Sequence, residues 1–284
     1  MDKLKMIPLD KLRPFPDNPF GVREDEEMQE LIESIRECGL LYPILARPLE
    51  NGEYEVIAGH RRRAACMKAG VKTVSVLVRE MDRDSAVIAL VDGNLHREHL
   101  LPSERAKAYQ MKLEALRHQG KRTSTHDVSK LRSDEQVGQE WGESRETVRR
   151  YIRLNSLEKP LVEMVDTGRV ALTPAVQLSY LSPEKQKIVV DAIQEMDATP
   201  SLSQAMRLKT MEKEGCLTED AIFEVMEEEK GNQKEVLRIQ KERLAKYFPR
   251  NITDRQMESM ILKILEDYFL KRKREQRQKQ GAER

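Results

Sequence analysis

The pattern of apolar residues changes once along this chain, near residue 120, and this change limits the possible folds more than any other feature. Before it, short runs rich in β-branched residues alternate with segments of helical periodicity. After it, helical periodicity predominates. A polar, basic stretch without either period, residues 120–133, is predicted to be a linker. The fold class is therefore predicted to be α+β, with a small α/β domain followed by an all-helical part.

The first part of the chain is predicted to contain four strands and several helices. Enrichment in β-branched residues and flanking turn residues place the strands at 4–12, 43–48, 54–58 and 74–78. An amphipathic helix follows the first strand and should end at Gly39. Two more helices are expected at 84–95 and 103–117, and Pro102 lies where the first turn of a helix tolerates proline.

The length of 284 residues suits two or three domains. We predict boundaries that give domains 1–119, 120–215 and 216–284. The last domain carries an apolar stripe at helical spacing, which consists of Met257, Met260, Ile261, Ile264, Leu265 and Tyr268. Such a stripe predicts either packing onto the preceding segment or pairing with a second copy of the chain as a homodimer. The basic tail that follows could add nonspecific phosphate contacts.

Composition argues against several classes of protein. Cys38, Cys66 and Cys216 are widely separated and lack the spacing of a zinc site or a disulfide framework. The first residues do not resemble a secretion signal, and no run approaches the roughly 18 apolar residues that span a bilayer. We therefore expect a cytoplasmic protein with no membrane partner. The formal net charge of +1 conceals local clusters of arginine, which matter more for binding than the total.

A helix-turn-helix is predicted at residues 133–155. Ser133 begins a capping box for the first helix, and Gly142 interrupts that helix. Ser144 caps the second helix, on which Val148 should face inward. The outer surface suits a DNA major groove, and we predict DNA contacts from Ser144, Arg145, Thr147, Arg149, Arg150 and Arg153. A solvated helix hairpin is the alternative interpretation.

A second basic cluster lies where a predicted strand turns through Gly59 into a helix. His60, Arg61 and Arg62 follow the glycine directly. The first turn of a helix has free backbone N–H groups, so flanking arginines make it suited to a phosphate. A solvated basic turn is an equally good interpretation of these residues. Farther along, Asn94 and neighbouring carboxylates have the oxygen ligands that a hydrated Mg²⁺ prefers.

In this order, the segments resemble the ParB family of chromosome and plasmid partition proteins over about residues 6–181. The resemblance is carried by IPLDKLRP at 7–14 with DNP at 17–19, ELIESI at 30–35 with GLLYPI at 39–44, GHRRRAA at 59–65, and GNLHRE at 93–98 with LPSE at 101–104. The helix-turn-helix follows at the expected place. As an ordered set, this is a specific match.

The resemblance implies binding of a centromere-like site on duplex DNA by a dimer, and action in chromosome or plasmid segregation. It also implies CTP and Mg²⁺ in the first domain, closure as a sliding clamp, a ParA-type ATPase as partner, and a nucleoid-associated location. By motif, the residues around the triphosphate would be Gly59, His60, Arg61 and Arg62. Asn94 would lie beside the metal, and Arg97 would support that site.

Several positions depart from the family pattern. His60 and Gly93 each stand where an acidic residue is usual. Binding of nucleotide is therefore expected more firmly than its hydrolysis, and the chain would be at most a weak CTP hydrolase. The exception would be that Asp92 substitutes for the carboxylate lost at Gly93. Tyr42 replaces a glutamine, which affects the expected cytosine contacts. Residues 172–177 replace a Gly-His-Ala-Arg segment that touches DNA in many chromosomal members. A different DNA site is therefore expected, and a plasmid or mobile-element origin fits as well as a chromosomal one.

Two other functions are compatible with the same modules. A transcriptional regulator could share the helix-turn-helix. An enzyme similar to sulfiredoxin or a free-serine kinase could share the first domain, but such enzymes carry a cysteine within the glycine turn. Cys66 instead lies seven residues after Gly59, inside the following helix, and is predicted to be a core cysteine.

Overall fold

The computed structural model describes residues 2–94, 100–122, 137–138 and 140–228, and, farther on, 247–248, 253, 256–257, 259–265, 267–269 and 271–272. The chain divides into two compact units, Met1–Glu228 and Glu229–Arg284. The first unit combines a mixed sheet with helices, so the predicted α+β class is confirmed.

A five-stranded sheet forms the centre of the amino-terminal half. Its strands are β1 (Lys3–Pro8), β2 (Leu12–Arg13), β3 (Ile44–Pro48), β4 (Tyr54–Ala58) and β5 (Thr73–Val78). They lie in the order β1-β5-β3-β4-β2. The pairs β1–β5 and β3–β4 are antiparallel, whereas β3–β5 and β2–β4 are parallel.

The single strand predicted at 4–12 is wrong. The chain leaves β1 after Pro8, turns through a 3-10 helix at Leu9–Lys11, and begins β2 at the opposite edge of the sheet. Pro8 has no amide hydrogen to continue a ladder, and it adopts φ −57° before the turn. The break places the loop that follows β2 beside the end of β4.

Four helices cover the two faces of the sheet. They are α1 (Glu26–Cys38), α2 (His60–Ala69), α3 (Arg83–Asp92) and α4 (Pro102–Arg122). The alternation of a strand separates two cores: Val56 packs with α1 and α2, and its neighbour Ile57 packs with α3 and α4. As predicted, α1 ends at Gly39, which has φ 72°. Helix α4 runs past its predicted end and into the residues predicted as a linker.

In the described part of the first unit, residues 137–138 and 140 are helical, and six further helices follow them. They are α5 (Arg145–Arg153), α6 (Lys159–Asp166), α7 (Leu172–Leu178), α8 (Pro183–Met196), α9 (Leu202–Glu214) and α10 (Glu219–Glu227). Thr218 caps α10, because its hydroxyl accepts a hydrogen bond from the Ala221 N–H at 3.2 Å. Helix α10 buries Ile222 and Val225 in the same apolar core as α6 to α9, although the predicted boundary assigned it to the last domain.

The second unit is helical at 256–257, 259–265, 267–269 and 271–272. Thr253 and Gln256 form a capping pair, in which the Thr253 N–H donates to Oε1 of Gln256 at 3.0 Å. Met257 is buried, whereas Ile264 and Tyr268 of the apolar stripe are exposed. Among the described residues, no helix is both long and apolar enough to cross a membrane.

Candidate functional site

A pocket of about 500 Å³ opens where β4 ends and α2 begins, a size that suits a small-molecule ligand. Its lining comes from three parts of the chain: the loop after β2, the turn into α2, and the end of α3. The lining residues are Asn18, Phe20, Gly21, Val22, Ala58, Gly59, His60, Arg61, Arg62, Gly93 and Asn94. The pocket thus brings together five of the six predicted nucleotide-binding residues, and the sixth, Arg97, lies outside the described residues.

Gly59 gives the pocket a geometry that suits a bound phosphate. It joins β4 to α2 with φ 101° and ψ 28°, a left-handed conformation that strongly favours glycine. It provides no side chain to cap α2. The amino end of α2 therefore faces the pocket with its backbone donors and the positive end of the helix dipole. This arrangement suits an anion.

His60 is the first residue of α2 and is held as a neutral imidazole. The Phe15 N–H donates to its Nε2 at 3.3 Å. Burial, reinforced by the charge of Arg63, lowers the pKa of His60 to about 4. Because Nε2 accepts this hydrogen bond, the proton is assigned to Nδ1, which leaves the ring a donor for a ligand.

Two arginines of the pocket are already engaged by neighbouring segments. Arg61 lies 2.9 Å from Asp25 and 3.2 Å from Glu27, at the start of α1. Arg62 donates to the carbonyl of Pro43 at 2.6 Å. A phosphate that bound Arg61 would therefore compete with two carboxylates, and binding would loosen the link between α1 and α2.

Asn94 closes the pocket from the end of α3. Its amide nitrogen donates to the Leu90 carbonyl at 2.9 Å, which orients Oδ1 as an acceptor. Asp92 does not line the pocket, because its carboxylate is hydrogen-bonded to Lys112. Among the described residues, no group of three His, Cys, Asp or Glu side chains could hold a metal ion. The described lining therefore does not fit a resident Mg²⁺ by itself, and a cation would have to enter with a ligand's phosphates.

The sequence did not identify the loop after β2 as part of the pocket. Asn18 shapes this loop, because its amide donates to the Phe20 carbonyl at 3.2 Å and its Oδ1 accepts from the Phe20 N–H at 3.2 Å. Glu104 of α4 anchors the loop by accepting from the Gly21 N–H at 2.8 Å. The Asp-Asn-Pro turn at 17–19 was the only local signal for this loop.

The predicted helix-turn-helix is built around α5. The Ser144 hydroxyl accepts from the Thr147 N–H at 3.1 Å and caps the helix as predicted. Val148 is fully buried with Val137 and Tyr109. Gly142 makes the turn with φ 65°. The predicted capping box at Ser133 lies outside the described residues.

Close packing at the turn depends on a second glycine. A Cβ at Gly138 would lie 2.6 Å from the carbonyl oxygen of Glu143, so no larger residue fits there without a shift. The Trp141 ring meets Tyr109 of α4 edge to face, with centroids 4.7 Å apart. Helix α4 thus supports the turn and fixes α5 against the amino-terminal half.

The predicted DNA-binding residues at α5 differ in how exposed they are and in what they contact. Arg149 and Arg150 are exposed on its outer face. Arg153 is half-buried, because its guanidinium donates to the Ser179 carbonyl at 2.7 Å. Thr147 lies with its hydroxyl 2.9 Å from that of Ser144, so these two side chains share the cap. Arg145 is partly buried at the start of the helix.

A buried ion cluster connects the pocket with the helix-turn-helix. Lys112 of α4 is 1% exposed, and its ammonium bonds both Asp92 and Glu140. Asp92 directly precedes Gly93 and Asn94 of the pocket, whereas Glu140 belongs to the helix before α5. The Lys112 ammonium therefore links the edge of the pocket to the predicted helix-turn-helix. This residue could not be identified from the sequence, because nothing local marks Lys112 as buried.

These features define a modular helix-turn-helix protein whose amino-terminal half carries a separate pocket suited to an anion. The ParB N-terminal domain model matches residues 1–95, and the ParB HTH domain model matches 98–206. The chromosome-partitioning protein Spo0J of Thermus thermophilus is 35% identical over 202 residues, which cover 71% of this chain and 69% of that protein. The chain belongs to the ParB family.

Two solved structures of a relative are also similar. Both are of the C-terminally truncated chromosome-partitioning protein ParB from Caulobacter crescentus. One is complexed to the centromeric parS site, with 25% identity, a TM-score of 0.43, and coverage of 74% of this chain and 99% of that chain. The other is complexed with CTP-gamma-S, with 28% identity, a TM-score of 0.32, and coverage of 67% and 98%.

The buried position of Cys66 bears on the enzyme alternative. Its side chain is inaccessible in the core between α2 and the sheet, as predicted, and burial raises the pKa of the thiol. A thiol that is both inaccessible and protonated is a poor nucleophile. Cysteine chemistry at the glycine turn therefore has no support in this fold.

Proposed function

We propose that this protein is the DNA-binding component of a partition system, which recognises a centromere-like duplex site through α5 and whose pocket binds CTP to gate a sliding clamp. The observation that carries the proposal is the construction of α5 within a ParB-family chain. Val148 anchors the helix in the core, Ser144 caps its amino end, and Arg149 and Arg150 lie on the outer face. Guanidinium groups in that position suit guanine edges and phosphates.

The DNA-reading role predicts a specific loss of binding. Arg149→Ala and Arg150→Ala should each weaken duplex binding and lower the slope of log K against log salt by about 0.9 for each phosphate contact removed. Fluorescence anisotropy with a labelled duplex measures both quantities. Lys187→Ala, an exposed change on α8, is the control. Unchanged binding in both arginine variants would refute the role of α5.

Genome-wide mapping of bound DNA separates partition from regulation. A few narrow peaks with broad shoulders fit a clamp that loads at one site and spreads. Discrete peaks at promoters, without shoulders, would instead show a transcriptional regulator with the same modules.

The pocket is proposed to bind the triphosphate of CTP. The amino end of α2 and the side chains of Arg61 and Arg62 face the phosphates, His60 adds a ring donor, and Asn94 is the protein ligand of a Mg²⁺ that enters with the nucleotide. Calorimetric titration of CTP, ATP and GTP, with and without Mg²⁺, tests this site. Arg61→Ala should remove saturable binding, whereas Arg36→Ala at the far end of α1 should retain it. No binding of any nucleotide would limit the domain to a structural role.

Gating is proposed to pass through Lys112. A ligand that shifts Gly93 and Asn94 also moves Asp92, and the shared ammonium transmits the shift to Glu140. The ligand changes the populations of the conformations with and without this shift only if it binds one of them more tightly. CTP should therefore alter the hydrogen-exchange protection of α5, and Lys112→Met should abolish that response.

Assembly as a homodimer, stimulation of a ParA-type ATPase, and association with the nucleoid complete the proposal. Membership in the ParB family supports all three. The exposed apolar residues on the helix of the second unit, which include Met260, Ile264 and Tyr268, support pairing with a second copy.

A further inference from the structure

The positive face of α5 continues beyond the end of the helix. Arg149 and Arg150 are exposed, and they lie four and three residues before Arg153, the spacings at which helical side chains are neighbours. Arg153 then meets the loop after α7, where Tyr180 stands, and Lys209 of α9 reaches the same tyrosine. We call Arg153, Tyr180 and Lys209 the flank cluster.

Tyr180 holds the two cations of the flank cluster together. Tyr180 is 46% exposed. The guanidinium carbon of Arg153 lies 4.1 Å from the ring centroid, and Nζ of Lys209 lies 3.7 Å from it. Hydrogen bonds fix both groups further: Arg153 donates to the hydroxyl and the carbonyl of Ser179, at 3.1 Å and 2.7 Å, and Lys209 donates to Oε1 of Gln177 at 3.0 Å.

The partners of these two cations carry no negative charge. Within the described residues, Arg153 and Lys209 contact only neutral groups, namely a tyrosine ring, a serine and a glutamine. Two positive charges held against one ring repel each other, and the quadrupole of the ring reduces this repulsion without cancelling it. An anionic ligand beside the two cations would offset this repulsion.

We propose that the flank cluster binds a backbone phosphate of the duplex beside the bases read by α5. This inference rests on the proposed function. Helix α7 provides no charge of its own here, because its sequence, Leu-Thr-Pro-Ala-Val-Gln-Leu, contains no charged residue. Lys209 therefore supplies from α9 a cation that α7 lacks. The ligand is the phosphate backbone rather than a base, because the cluster lies at and beyond the carboxyl end of α5, whereas base edges are met by the amino-terminal residues of such a helix.

Substitutions at Lys209 separate charge from packing. Lys209→Met removes the charge but keeps an unbranched chain against the tyrosine ring, and Lys209→Arg keeps the charge. Arg207→Met is the matched control, because Arg207 also carries one positive charge on α9. It lies about 200° around the helix from Lys209 and pairs with Glu228 at 2.5 Å.

The test measures duplex binding by anisotropy over a range of salt concentrations, with a mapped genomic site and an unrelated duplex of equal length. Lys209→Met should lower the slope of log K against log salt by about 0.9, and should weaken binding about fivefold at roughly 0.15 M salt. The loss should be equal for both duplexes, because a phosphate contact carries no sequence information. Lys209→Arg and Arg207→Met should bind like the wild type.

An unchanged salt slope in Lys209→Met would overturn the proposal, even if the melting temperature fell, because packing alone would then explain the cluster. An equal loss in Arg207→Met would also overturn it, since general charge would be responsible. Failure of the wild type to bind either duplex would refute the proposed function itself, whereas normal wild-type binding with an inert Lys209 would refute only this inference.

Discussion

Replacement of Lys112 by methionine is the most informative perturbation of the fold. The change keeps an unbranched side chain that is one heavy atom shorter, so it leaves little cavity, but it removes the ammonium that joins Asp92 to Glu140. Loss of one partner from a fully buried ion pair costs about 3–5 kcal/mol. Here the two carboxylates are 45% and 39% exposed, and water will partly solvate them once they are released. The expected loss is therefore about 2 kcal/mol.

For the unit Met1–Glu228, this loss corresponds to a melting temperature lower by about 4–8 °C. Thermal unfolding followed by circular dichroism measures it, and Lys107→Met, an exposed change on the same helix, is the control. Adding Asp92→Asn and Glu140→Gln to Lys112→Met should recover most of the stability, because no unpaired charge then remains. A Lys112→Met variant within about 0.5 kcal/mol of the wild type, the usual range for surface changes, would refute the reasoning.

Two further predictions concern pH and assembly. The free energy of unfolding should fall by up to about 3 kcal/mol as pH drops from about 6.5 to about 4, because the unfolded chain takes up a proton at His60 that the folded protein refuses. His60→Gln should remove this part of the pH dependence in chemical denaturation, and an unchanged slope would contradict the burial of the ring. Deletion of the residues after Gly231 should convert a dimer into a monomer in sedimentation velocity, and a persistent dimer would place the interface elsewhere.

Much of the fold followed from local rules. The caps of α1 and α5 were predicted because Gly39 and Ser144 act within a few residues of their positions. Strand β4 was predicted at its observed bounds for the same reason. The first strand was wrongly predicted as one long strand. The chain instead breaks after Pro8 and places β1 and β2 at opposite edges of the sheet, and this placement depends on the tertiary fold.

The candidate site was predicted only where it is continuous in sequence. The residue types from Gly59 to Arg62 were enough to predict a turn suited to phosphate binding. The loop around Asn18 was missed, because it reaches the pocket only after β2 has crossed to the far edge of the sheet. Burial of Lys112 and the contact between Arg153 and Ser179 were likewise invisible, since their partners lie at least 20 positions away in the chain.

By itself, the sequence determined the order of the modules, the helix-turn-helix and the basic turn, because periodicity, capping and glycine conformation act over one or two turns of chain. The tertiary structure decided which of those charges meet. It paired Asp92 with a buried ammonium rather than the pocket, and it set Arg153 on Tyr180 beside Lys209. Electrostatic and cation–π energies depend on distances in space, and only the packed fold fixes those distances.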